Sequence, residues 1–135
     1  MQRRSDLVAA ARGFIGTPWR HQGRLKGVGV DCVGLVVGAL AEVGILVDGR
    51  TDYPRQPDPD ELLGQLRTWC RRRPKARPGD ILLFAMDGHR PQHIGIATDI
   101  GVIHAHAGAR AVVEHGLDET WAPRVAGVFG VKGLR

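Results

Sequence analysis

Gly29-Val30-Asp31-Cys32-Val33-Gly34-Leu35-Val36 decides how the rest of this chain is read. It sets a cysteine at the start of an apolar run in which, from Cys32 to Val47, only Glu42 is charged. The stretch from Val33 to Glu42 therefore reads as a buried helix, with Gly44 as its stop. Asp31 suits an N-cap, because its side-chain oxygen can accept from the free N–H groups of the first turn. Cys32 then lies where those groups and the helix dipole favour an anion, which predicts a thiol pKa lowered from its ordinary value. Cysteine is also a small hydrophobe that often only fills a core, and this stretch alone leaves both readings open. Gly34 and Gly38 fall on one helix face, as expected of a helix pressed against a sheet.

Working outward, Ser5 or Asp6 can cap a first helix over Leu7 to Phe14, closed by Gly16-Thr17-Pro18. Trp19 to Val30 is glycine-rich and reads as a loop leading to the cysteine. Arg50 to Pro59, with prolines at 54, 57 and 59, reads as an irregular connection. Asp58-Pro59-Asp60-Glu61 then opens a short helix that runs to about Trp69. From Pro78 the pattern changes to short strands: Ile81 to Phe84, a turn at Asp87-Gly88, His93 to Thr98, Val102 to His106, Ala111 to Glu114 and Val125 to Val131. Asp99-Ile100-Gly101 makes a tight hairpin between the second and third of these. Helices followed by strands predict an α+β fold, with N-terminal helices packed on a C-terminal antiparallel sheet of about five strands.

The 135 residues suit a single domain, 1–135, and the 43% hydrophobic and 24% charged fractions are those of an ordinary globular chain. Two cysteines cannot build a disulfide framework. The expected starting compartment is the cytosol, since Leu7–Ala11 is too short for a signal peptide and Val33 to Ala41 too short for a membrane span. No membrane insertion is expected. Net charge is +5 and the pI near 10.0. Much of the excess is local, at Arg71, Arg72, Arg73, Lys75 and Arg77, which reads as a solvated linker beside Cys70. Cys70 itself reads as a bystander. Zinc-finger spacing, an aromatic RNA-binding signature and a phosphate-cradling glycine loop are all missing, so nucleic acid is not an expected partner.

A nucleophilic cysteine needs a base, and the base needs a group to orient it. His93 opens one hairpin strand and His104 lies near the end of the next, eleven residues on. Antiparallel pairing can set these side by side, one imidazole taking the thiol proton and the other holding its ring. A histidine in a strand is as readily structural. A thiolate–imidazole metal site from Cys32, His93, His104 and His106 has suitable ligand types but no structural-zinc spacing, and the expectation is no metal and no cofactor. His106, two beyond His104, either lines the same cleft or stands in for His104 if the register differs. His21, His89 and His115 carry no argued role.

The motif around Cys32, then Pro78-Gly79-Asp80-Ile81-Leu82-Leu83-Phe84, His93-Ile94-Gly95-Ile96 and Val102-Ile103-His104-Ala105, together resemble the NlpC-like cell-wall cysteine peptidases, in that family's order and over nearly the whole chain. The resemblance implies a papain-like fold and a metal-free triad of Cys32 as nucleophile, His93 as general base and His104 as its orienting group. It implies hydrolysis of peptidoglycan stem peptides, typically between D-glutamate and the diamino acid. Two positions depart from the pattern. Trp19 stands where the family often has a tyrosine, and an indole N–H can serve an oxyanion but cannot accept a proton. Val33 stands where serine is usual. Arg20 or Arg24 is a candidate for a stem-peptide carboxylate, and Asp31 is better explained as a cap than as an acid. The Gly16-Thr17-Pro18-Trp19-Arg20-His21-Gln22 version resembles the peptidases of gene transfer agents and related prophages. By that analogy the protein is a virion component that rides a phage-like tail, with tail-tip or hub proteins as partners, and acts on the cell wall in the periplasm. The rival expectation is a structural tail component that keeps the fold and not the activity.

Overall fold

The computed structural model describes residues 2–47, 58–86 and 90–135. The Arg50 to Pro57 part of the expected connection, the Asp87-Gly88 turn and His89 lie outside the described residues. In chain order the elements are α1 (Arg4–Arg12), β1 (Arg24–Leu25), β2 (Gly29–Val30), α2 (Cys32–Glu42), α3 (Pro59–Trp69), β3 (Cys70–Arg73), β4 (Ile81–Phe84), β5 (His93–Ala97), β6 (Val102–His106), β7 (Ala111–His115) and β8 (Val125–Val131). β1 and β2 pair only with each other, while β3 to β8 form one antiparallel sheet of order β3-β8-β4-β5-β6-β7.

The helices start where the residues dictate. α2 begins at Cys32 with Asp31 as N-cap, its Oδ1 accepting from Gly34 N at 2.8 Å. α3 has Asp58 as N-cap, proline in its first turn and Asp60 and Glu61 against the helix dipole. α1 begins and ends earlier than expected. Ser5 lies inside it, and Asp6 acts from the third helical position, accepting from Arg3 N at 2.9 Å. That is one half of a capping box.

The sheet has six strands among the described residues, one more than expected, because Cys70–Arg73 is an edge strand and not a solvated linker. Cys70 faces inward at 3% exposure and pairs with Val131, so it is buried core and lies on no exposed connection. Arginines on an edge strand resist pairing with another chain, which hides strand character from hydropathy patterning. Two further members of the basic stretch are held by the buried Asp80: Arg73 Nε is 3.2 Å and Arg77 N 2.9 Å from its Oδ2.

β4 to β7 form the expected meander, but β8 returns between β3 and β4. One face of the sheet carries Ile81, Leu83, Ile94, Ile96, Ile103 and Phe129 into the main core, where Leu35, Val36, Ala39 and Leu40 of α2 meet them. The opposite face holds a smaller cluster built on Leu82, Phe84, Ala97 and Val102, with Trp121 packed against it. The glycine face of α2 does not press on the sheet. A Cβ on Gly34 would fall on the Gly23 carbonyl oxygen, and one on Gly38 would lie 2.7 Å from the Phe14 ring. These glycines admit the loop that precedes Cys32 and the end of the α1 segment, while the branched side chains of α2 take the sheet.

Gly34→Ala is expected to destabilise the protein by about 1–3 kcal/mol through overpacking against backbone. Gly64→Ala, in α3 with open space around it, should instead stabilise by about 0.5–1 kcal/mol. Urea unfolding of the two variants beside wild type checks both signs.

Candidate active site

Cys32 occupies the first position of α2, 9% exposed. The loop before it is tied down by Asp31, whose Oδ2 accepts from Gln22 N at 2.9 Å and whose Oδ1 lies 3.1 Å from Arg24 Nη1. Gln22 is held at φ 60°, the left-handed region, and its amide bond to Asp31 offsets that cost. The same loop runs Trp19 alongside Val30, with Trp19 N donating to Arg110 O and Arg20 N to Val30 O. Trp19 packs half-buried against the main core. Arg20 is exposed, its stem lying over Gly29, whereas Arg24 is engaged by the Asp31 carboxylate.

The Cys32 thiol lies at the backbone amides of Ile94, Val33 and Cys32 itself, all of which favour a thiolate. Burial and the adjacent Asp31 charge outweigh them and push the thiol up to about 12. The expected lowering by the helix start is therefore present in direction but overcome. Because Ile94 points into the main core, the thiol meets β5 on its helix-facing side.

His93 belongs to the other face. Its Nε2 lies 2.7 Å from His104 Nδ1. The strand register explains the contact: Ile96 faces Ile103 and Ala97 faces Val102, so His93 and His104 are diagonal neighbours two residues out of direct opposition, with Gly95 between them in register. A Cβ at Gly95 would lie 3.0 Å from His104 Cβ, so the glycine opens the space the rings use. His106 stacks on His104 at 5.2 Å between centroids and 15° between planes. It lines the cluster without replacing His104. Among the described residues no hydrogen bond joins Cys32 to His93, and no group of three or more His, Cys, Asp or Glu side chains is arranged to hold a metal.

His115 belongs to this site although the sequence reading gave it no role. Its Nε2 lies 2.7 Å from His104 Nε2, and its Nδ1 is 2.9 Å from the Gly116 carbonyl. The signal was an eleven-residue interval met twice, from 93 to 104 and from 104 to 115. Two successive hairpins convert it into two successive diagonal contacts, since β6 and β7 pair Val102 with His115 and His104 with Val113. Trp121 closes the row, its ring 4.7 Å from His104, 5.1 Å from His115 and 5.2 Å from His106, with the Arg124 guanidinium 4.6 Å above it.

Burial leaves these imidazoles uncharged: His93 is lowered to about 3, chiefly by desolvation and then by His106, and His104 to about 2 by desolvation and its histidine neighbours. His106 is lowered for the same reason. In the unfolded chain each titrates near 6.5, so below that pH the unfolded state binds protons that the folded state refuses. Stability should therefore be unaffected by these rings above about pH 7 and fall on acidification, by up to about 1.4 kcal/mol per pH unit for each ring. The lowered carboxyls Asp99 and Glu114 lose their contribution only at more acid pH. Urea midpoints between pH 7.5 and 5 isolate the imidazoles, and a flat profile there would contradict their burial as neutral groups.

The pattern of the NlpC/P60 family matches residues 16–129. No curated protein matches the chain. Among solved structures, the NlpC/p60 domain of the peptidoglycan hydrolase SagA is similar with a TM-score of 0.66 at 26% identity, covering 96% of this chain and 98% of that one. The peptidoglycan hydrolase RipB from Mycobacterium tuberculosis gives 0.63 at 24%, covering 98% and 65%. An NlpC/P60 family protein from Bacillus cereus gives 0.68 at 23%, covering 93% of this chain but 39% of its own length. This chain thus spans the SagA domain and only part of the longer proteins. Their shared fold is the papain-like α+β arrangement, and this chain is a member of the NlpC/P60 family.

Proposed function

We propose that this protein is a cysteine endopeptidase acting on the stem peptides of peptidoglycan, with Cys32 as nucleophile and His93 as its general base. The observation that carries the reading is the hydrogen bond between His93 and His104, with His93 on the strand whose Ile94 amide meets the Cys32 thiol. Membership of the NlpC/P60 family and the likeness to the hydrolase domain of SagA support it.

The chemistry follows from a neutral resting pair. With the thiol raised and His93 lowered, neither group carries charge before substrate arrives. Attack of Cys32 sulfur on the scissile carbonyl is coupled to transfer of its proton to His93. The imidazolium then protonates the leaving amine, and the acyl-enzyme is released by water that His93 deprotonates. Cys32 meets β5 on one side and His93 lies on the other, so this transfer requires the two groups to come within hydrogen-bond reach as substrate binds. The backbone amides at the thiol, with the Trp19 indole as the side-chain candidate, are the donors available to a developing oxyanion. Arg20, exposed in the preceding loop, is the remaining candidate for a stem-peptide carboxylate.

The bond proposed is D-glutamyl–diaminopimelate, and the proposed route to it is a phage-like tail, made in the bacterial cytoplasm and acting at the wall. Both rest on sequence resemblance, the second on Gly16 to Gln22. The rival reading, a tail component with little or no activity, is favoured by Trp19 in the tyrosine position and by the raised thiol.

Digestion of diaminopimelate-type peptidoglycan, followed by mass spectrometry, separates the two. Wild type should release cleaved stem peptides, and Cys32→Ala should release none while its unfolding midpoint stays within the range of ordinary surface variants. His93→Ala should lower the rate about 10³–10⁴-fold and His104→Ala about 10²-fold. Products from Cys32→Ala would remove the nucleophile assignment, and no products from wild type, with or without tail proteins, would leave the structural reading.

A further inference from the structure

The row His93–His104–His115 ends on a group whose role in a hydrogen bond is not negotiable. The Gly116 carbonyl oxygen can only accept, so His115 Nδ1, 2.9 Å away, must carry a hydrogen. In neutral His115 the other nitrogen, Nε2, then holds a lone pair. It faces His104 Nε2 at 2.7 Å, and that contact is a hydrogen bond only if His104 Nε2 donates. Neutral His104 is thereby left with a lone pair on Nδ1, which faces His93 Nε2 at 2.7 Å and must accept from it. His93 is left with its Nδ1 unprotonated.

We infer that His115, anchored by the Gly116 carbonyl, is a positioning residue that fixes the tautomers of His104 and His93 so that His93 presents a bare Nδ1 as the base for Cys32. The inference rests on the proposed roles of Cys32 and His93, but its core statement concerns tautomers and holds or fails without any substrate. A free imidazole divides its proton between two nitrogens, and only one of the two forms can take a proton at Nδ1. A chain of three rings with one fixed end selects that form at every link. The role differs from that of a buried carboxylate at the end of a triad, which also adds charge. Here the terminal group is a neutral carbonyl, and it supplies direction only.

The surroundings are built to keep the row in one arrangement. His104 is fully buried, so no water competes for its nitrogens. Trp121 packs on His104 and His115, and His106 stacks on His104, so the buried ring has aromatic neighbours on its flanks. The strand register repeats the same diagonal contact at both links, so nothing but ordinary antiparallel pairing is needed to hold the spacing.

Two variants and one spectrum test this. Imidazole ¹⁵N spectra of the Cys32→Ala protein, at a pH where the rings are neutral, should show His93 and His104 each protonated at Nε2 and His115 at Nδ1. In His115→Leu within that background, which leaves His104 without an acceptor, both rings should move toward mixed tautomers. With Cys32 intact, His115→Leu should lower kcat on a soluble diaminopimelate stem peptide about 10- to 100-fold with KM within about twofold. His115→Gln, whose Oε1 can accept from His104 Nε2, should recover most of that loss. A His93 protonated at Nδ1 in the Cys32→Ala spectrum overturns the inference, as do unchanged tautomers or a His115→Leu kcat within about twofold of wild type. A wild type that cleaves nothing while the spectrum shows the stated tautomers overturns the peptidase reading and, with it, the catalytic use of the row.

Discussion

The Asp31 carboxylate is the constraint on which the active region depends. It is 5% exposed and takes three donors at once: the Gly34 amide that starts α2, the Gln22 amide from the preceding loop, and the Arg24 guanidinium. A buried carboxylate is stable only when its oxygens are satisfied, and here the satisfying groups come from both sides of Cys32. The helix start and the loop are thus made one unit, and Gly34 lets the Gly23 carbonyl lie against the helix where any side chain would intrude. The same carboxylate works against thiolate formation, since its charge adds to burial in raising the thiol. One group thus fixes the helix start that carries the sulfur and adds to the burial that raises its thiol.

Much of this was legible in the sequence for a physical reason. Asp31 before an apolar run names a helix start by the local rule that a side-chain oxygen replaces a missing backbone acceptor, and the structure places α2 there. The α+β division needed only the change from helical to strand patterning at Pro78. What escaped was non-local. β3 escaped because Arg71, Arg72 and Arg73 erase hydrophobic alternation, and only the pairing of Cys70 with Val131 reveals the strand. The glycine face of α2 was read correctly as a place of close approach, but a sequence cannot say which backbone approaches, and Gly23 and Phe14 stand where the sheet was expected. His115 escaped because its meaning depends on two hairpin registers acting together.

Strand alternation also explains how the site is divided. Ile94 faces the helices and meets the thiol, while His93, one residue earlier, faces the opposite side and joins the imidazole row. The two halves of the proposed chemistry are therefore held by adjacent residues of one strand at the point where that strand begins. A slip of one residue in β5 would exchange their faces and dismantle both. Gly95 and the β5–β6 hairpin thus serve the site as well as the sheet, because they set which residue lies diagonal to His104.

A row of imidazoles ending on a carbonyl has a definite energetic character. It can dictate which nitrogen holds each proton, but it brings no negative charge to offset an imidazolium, while burial and then the neighbouring histidines lower His93 and His104. A preformed thiolate–imidazolium pair would have to exist in buried surroundings beside the Asp31 charge, so desolvation adds a cost to forming it. On the proposed roles of Cys32 and His93, proton transfer coincides with bonding of the sulfur to carbon, when the negative charge passes to a substrate oxygen that backbone amides can receive. In the proposed mechanism orientation therefore carries more of the catalytic task than pKa matching does. Its requirements are accordingly geometric: a fixed helix start, a fixed register and a fixed tautomer.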